Sequence, residues 1–383
     1  MQHDLMIVDG HVIDTAQGLN GPADVAFKDG KVSAIGPSLD RKAAKTVKSA
    51  RGFTVIPGIV DLHTHVYWGG TSLGIDADQL GRDSGTTTSI DAGSAGAGNF
   101  PGFRKHVIEA SETRILAYLN ISFAGIFGLG ATLAYGEAQI PELMNIEECV
   151  RVAREHPDLI VGVKVRIGYN TSGSLGIGAL DVAREAAQLL NLPMMAHVGP
   201  PPPRFVDILE RLRPGDVLTH CCRPTLSHAL DTKGHVLPIA AEARKMGVIF
   251  DVGHGAGAFS FETAAAMLKA GFPPDVISSD VHIRSRQGPA ISTLHTMSKM
   301  LCLGMPMLDV VKAATEAPAL AVRRPELGNL KVGAPGDAVL LETQEGSFDY
   351  LDTVGVTLKG KKRLALRGTV LGGKWWHDGE PKS

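Results

Sequence analysis

The sequence predicts an α/β protein: a closed (β/α)8 TIM barrel joined to a small β-sandwich domain formed by the N- and C-terminal segments. Three observations predict it. Short apolar runs alternate with helix-patterned stretches through the middle of the chain, both ends alternate in period two, and His, Lys and Asp recur where apolar runs stop.

In chain order, residues 1–54 carry the runs 5–8, 24–27 and 32–35, separated by turns at Asp29-Gly30 and Gly36-Pro37, the chemistry of short antiparallel strands. Strand candidates then follow at 59–63, 86–91, 115–122, 160–167, 194–197, 217–220, 248–252 and 276–280. Between them, 146–155, 180–190, 203–212, 238–246 and 261–270 place apolar residues three and four apart, as amphipathic helices do. Near-continuous apolar strands alternating with helices make a parallel sheet covered on both faces. Eight repeats over roughly 240 residues suit a closed barrel better than an open sheet. The C-terminal runs 336–341, 363–366 and 369–371 return to period two. Each end is too short to bury a domain of its own, so the two are expected to fold together. The expected division is 1–54 plus 328–383 for the β domain and 55–327 for the barrel.

Composition excludes several function classes. With 383 residues, 44% hydrophobic and 20% charged, the chain is an ordinary globular protein. A net charge of −2 favours neither nucleic acid nor an anionic membrane surface. The four cysteines, Cys149, Cys221, Cys222 and Cys302, have no C-x-x-C spacing, which reads as a reducing compartment. The first residues lack a basic region followed by an apolar one, and no apolar run approaches the ~20 residues of a membrane span. A cytoplasmic protein is expected. The 45 glycines fit repeated strand-to-helix turns.

Catalytic groups of such barrels sit at the C-terminal strand ends. The first strand ends in His63-Thr64-His65, and residues two apart share a face, so two imidazoles point one way. That is half of a transition-metal site. Lys164 interrupts the apolar fourth strand, strands five and six end at His197 and His220, and the eighth ends at Asp280. A lone His at a strand end is commonly structural and a strand Lys commonly snorkels; independent placement, however, would scatter such a set over helices and loops. A buried ammonium cannot ligate a cation. Desolvation favours the neutral amine, which can add carbon dioxide to give a carbamate able to bridge two divalent metals.

His63-x-His65, Lys164, His197, His220 and Asp280, in that order, resemble the amidohydrolase superfamily in its binuclear, carboxylated-lysine form. The resemblance extends to the segment 55–65, the terminal β domain and the segment 328–338. It implies that His63, His65 and Asp280 hold the more buried metal and His197 and His220 the other, with N6-carboxylated Lys164 bridging them. Zinc is the implied metal; Mn, Fe or Co also suits these ligands. A metal-bridging hydroxide would attack the substrate carbonyl, and Asp280 would take its proton and pass it to the leaving amine or alkoxide. A homo-oligomer is implied only by analogy. A non-catalytic scaffold would be expected to lose ligands, and all six are present.

Secondary groups bear on substrate. Arg166, two residues after Lys164, suits a substrate carboxylate; an ion pair to a neighbouring loop is an equal reading. Tyr169 and Asn170 follow in the same loop, His254 follows strand seven, and His282, Arg284 and Arg286 lie beyond Asp280 as pocket-rim candidates. Cys221 and Cys222 read as buried small residues. Sequences of this kind are often labelled dihydroorotase, whose motif continues His-x-His-x-Arg; here that position is Tyr67. The chain looks closer to the deacetylase branch. The leading expectation is hydrolysis of an N-acyl amino acid or O-acyl hydroxy acid, a small carboxylate-bearing substrate. The alternative is a cyclic amidase such as dihydroorotase, a hydantoinase or a dihydropyrimidinase.

Overall fold

The computed structural model describes residues 2–130 and 132–379. Seven strands form one parallel sheet in sequence order: Ile59–Thr64, Thr86–Gly96, Arg114–Asn120, Ile160–Ile167, Met194–Val198, Val217–Thr219 and Ile249–Asp251. The eighth stave, 276–281, closes the ring. It bridges Asp251 through Val276 and Thr64 through Val281, both parallel. His65 N donates to Val281 O at 3.0 Å, and Asp280 N donates to His63 O at 2.7 Å. The expected strand 276–280 is therefore a stave without a regular ladder. Asp280 has φ 45, and a left-handed residue breaks an extended pairing.

The helices Ile146–Glu155, Gly178–Leu190, Pro238–Lys245 and Phe261–Lys269 cover the barrel much as periodicity predicts. The pattern at 203–212 yields only Phe205–Leu209. Beyond it the amides of Arg211 and Leu212 bond three residues back, to Ile208 and Leu209, a tightened turn that stops the helix short of Pro214. Among the described residues no helix is long and apolar enough to cross a membrane.

Both termini share the second sheet. Its order is Lys374–His377, Thr357–Leu371, Ala338–Leu351, Thr54–Pro57, His3–Asp14, Leu19–Lys28 and Lys31–Gly36, with Ala44–Ser49 paired alongside His3–Asp14. Leu5, Ile7, Val25 and Phe27 from the N-terminal strands pack with Leu340 and Val370 from the C-terminal ones and with Leu330 from the segment before them, so neither half buries its apolar face without the other. Strand Thr54–Pro57 pairs with Ala338–Leu341 on one side and His11–Val12 on the other. The sheet thus keeps residues that a division at 54/55 gives to the barrel. The handover is at Gly58, where a Cβ would stand 2.1 Å from Thr87 Oγ1 and 2.8 Å from Asp337 Cβ. Only glycine allows this approach.

Candidate metal centre

His63 and His65 emerge from the first strand with both Nε2 atoms aimed at one carboxylate oxygen. Asp280 Oδ1 is 3.3 Å from the first and 3.1 Å from the second, and one ligand atom from each of the three lies within 4.8 Å of the others. The opposite ring nitrogens are engaged elsewhere. His63 Nδ1 lies 2.9 Å from Thr219 Oγ1, which donates to Asp251 at 2.6 Å; His65 Nδ1 lies 2.9 Å from Ser94 Oγ. Outer partners of this kind orient imidazoles and leave the inward nitrogen as a lone-pair donor. We expect Thr219→Val to weaken metal affinity about 10- to 100-fold, read by competition with a chelating indicator; unchanged affinity would remove the relay.

Asp280 is held by the backbone on both sides. Its own amide bonds His63 O, and Ser279 N and Oγ bond the buried Asp61, whose Oδ1 also accepts from His63 N at 3.2 Å. Asp61 thereby ties the strands carrying His63 and Asp280 together. His220 and Asp280 both take left-handed φ, 74 and 45, a strain on the order of 1–3 kcal/mol each that collects at functional sites.

The other histidines face them. His197 Nδ1 and His220 Nε2 are 2.7 Å apart, and His220 Nδ1 lies 2.6 Å from Gly253 O. Burial holds His63, His197 and His220 well below the usual imidazole range, so all three are neutral and able to donate lone pairs. Burial alone would raise Asp280, yet His63, His282 and His65 outweigh it and hold the carboxyl well below the usual range. Lys164 is fully buried. Its Nζ lies 3.4 Å from His63 Nε2 and 3.3 Å from Met195 Sδ, and no carboxylate salt-bridges it among the described residues. Desolvation pulls the amine down to about 7. Gly93, at φ +81, makes room: a Cβ there would stand 2.7 Å from Lys164 Cβ and Cγ. Four imidazoles, an ionised carboxylate and a buried amine without a carboxylate partner form a donor set that fits divalent metal ions.

All six of these residues line one cavity of about 340 Å³, together with Arg166, Asn170, His282 and Arg284. A larger hollow of about 540 Å³ opens at the opposite, N-terminal end of the strands, lined by Arg244, Asp275 and Lys312 among others. It holds no histidine, and the chemistry lies in the smaller one.

Two expected substrate groups stand elsewhere. His254 is fully buried, stacked on Phe259 at 4.4 Å, with Nε2 2.7 Å from Lys299 Nζ. Gly253 and Gly255 both take left-handed φ, and between them the chain turns the imidazole away from the cavity. Tyr169 opens the short helix Tyr169–Ser172 and is 68% exposed; its neighbour Asn170 reaches the cavity instead. Arg166 lies in the cavity but is engaged, with Nη1 3.1 Å from the buried Glu137 Oε2, the loop ion pair that was one of its two readings. Tyr67 stacks on Phe103 at 4.5 Å and bonds Asn99 O, so no cation stands at that position. His282 does line the cavity, its ring 6.0 Å from that of His65. Sequence reasoning passed over Asp61, Thr219, Asp251, Glu137 and Arg223. For Asp61 a signal existed, since it sits in an apolar strand two residues before His63.

No family model matches the chain. It is 35% identical over 345 residues to a deacetylase from Brucella anthropi, covering 90% of this chain and 85% of that one. A deacetylase from Agrobacterium fabrum is 36% identical over 344 residues, with coverages of 90% and 84%. Among solved structures, one described as an adenine deaminase superposes with a TM-score of 0.91 at 29% identity, covering 98% of this chain and 100% of that one. Another, described as a dihydroorotase, gives 0.89 at 31% identity, covering 98% and 99%.

Proposed function

The chain belongs to the amidohydrolase superfamily, in the dihydroorotase-like branch with its deacetylase relatives, and from that premise we propose that this metal-dependent hydrolase is a deacylase of small acyl carboxylates. Its bond of choice is the acyl C–N bond of an N-acyl amino acid or the C–O bond of an O-acyl hydroxy acid. The observation that carries the reading is the convergence of His63, His65, Lys164, His197, His220 and Asp280 on one cavity. Leu73, Ile126, Leu129 and Ala258 give that cavity an apolar wall, suited to a hydrocarbon side chain or acyl group.

In this reading His63, His65 and Asp280 would hold the inner metal, and His197 and His220 the outer. Neutral Lys164 would attack carbon dioxide, forming an N–C bond and releasing one proton, and the resulting carbamate would serve both ions. Bound metals, zinc being the expected pair, supply hydroxide at neutral pH and polarise an acyl carbonyl. The protein's own contribution to the chemistry is proton transfer. Asp280, ionised and with its amide bonded to His63 O, accepts the proton of the attacking nucleophile and delivers it to the departing nitrogen or oxygen as the acyl bond breaks.

The test is a hydrolysis screen of the zinc-loaded protein with N-acetyl amino acids and acetylated 2-hydroxy acids of both configurations, beside dihydroorotate and hydantoin. Acetate release from an acyl substrate is expected. Consumption of ring substrates alone would overturn the proposal in favour of a cyclic amidase.

A further inference from the structure

On the acyl-carboxylate reading, we infer that Arg223, and not Arg166, anchors the substrate carboxylate, at the His197–His220 side of the cavity. Arg223 follows His220 by three residues in the loop after the sixth strand, is 8% exposed, and lines the cavity with the six central groups. Its backbone is fixed, because Thr263 Oγ1 donates to Arg223 O at 2.8 Å. Its Nη1 donates to Val198 O at 2.7 Å, next to His197. The guanidinium thus spans the ends of the two strands that carry His197 and His220.

What it lacks is an acid. No carboxylate forms a salt bridge with Arg223 among the described residues, and its buried Nε has no hydrogen-bond partner. Burial accordingly pulls the group down to about 10, with Asp280 opposing only through space. A buried charged donor left unsatisfied is costly, and native proteins keep one where a ligand completes it. Arg166 differs in this respect, since Glu137 already occupies it. Of the three cavity arginines, Arg166 is held by Glu137 and the exposed Arg284 donates to Gly130 O, whereas Arg223 is buried with its Nε unfilled, a guanidinium that matches a planar carboxylate in charge and geometry.

The experiment compares N-acetyl-leucine with N-acetyl-leucinamide, each enantiomer separately, for kcat/KM and for calorimetric binding to the zinc-loaded protein. Wild type is expected to favour the acid at least about 100-fold, the cost of leaving a buried charge unpaired. Arg223→Met should reduce that preference about 100-fold, mainly through KM, Arg223→Lys should restore part of it, and Arg166→Met should change it less than about tenfold. Because the acid–amide comparison is made first in wild type, an unfolded variant does not rescue the inference. Equal handling of acid and amide by wild type overturns it, as does an Arg166→Met variant that alone abolishes the preference. If neither compound is cleaved yet the acid binds and the amide does not, in an Arg223-dependent way, the inference stands and the deacylase reading falls. Absence of acid binding to wild type overturns the inference.

Discussion

Replacing Asp280 with asparagine is expected to lower kcat by about 10³-fold or more while bound metal and KM change little. Asparagine is isosteric, and its carbonyl oxygen can still lie against His63 and His65 where Asp280 Oδ1 now stands at 3.3 and 3.1 Å. It cannot accept a proton at neutral pH. The carboxylate is suited to that task because His63, His282 and His65 hold it ionised despite burial, and because its backbone is pinned by its own amide on His63 O and by the adjacent Ser279 on Asp61. Metal content by mass spectrometry, beside turnover, separates the two roles of the residue. Substantial remaining kcat would remove Asp280 from proton transfer; loss of metal would make it chiefly a ligand.

The second large effect is expected at Lys164. Lys164→Ala should lose most of the bound metal, and kcat with it, by at least about 10²-fold. Among the described residues the amine has no salt-bridge partner, Gly93 makes room for its stem and Met195 Sδ meets its Nζ. Its amine titrates near 7 because burial disfavours the ammonium. The sign of the pH effect follows. Below about pH 7 the ammonium predominates and cannot attack carbon dioxide; above it the free amine can. Reconstitution of metal-free protein with zinc and bicarbonate should therefore be faster at pH 8 than at pH 6, and Lys164→Ala should not respond to bicarbonate. Normal metal content in that variant would refute the carbamate.

The six central residues are legible because each sits on a barrel stave or on the residue directly after one, where period-two alternation largely fixes the face of a side chain. His63 and His65 follow directly from it, and Lys164 stands out as an ammonium in an apolar run. Loop residues obey no such period. His254 lies between two left-handed glycines that reverse its direction, and Arg223 lies in a loop whose course depends on Thr263 and Val198. Its spacing from Lys164 puts Arg166 on the cavity side of the strand, yet its engagement by Glu137 is a long-range contact no local pattern encodes. The fold shows the same division. Seven staves read from apolar runs, whereas the eighth is irregular where Asp280 turns, and strand Thr54–Pro57 joins the terminal sheet because its partners lie at both ends of the chain.

The most direct test is a zinc titration of metal-free protein, in the presence of bicarbonate, that follows acetate release from the best substrate of the screen. Activity should climb to a plateau at two zinc ions per chain. A plateau at one, or no acetate release at any zinc concentration, would contradict a binuclear deacylase.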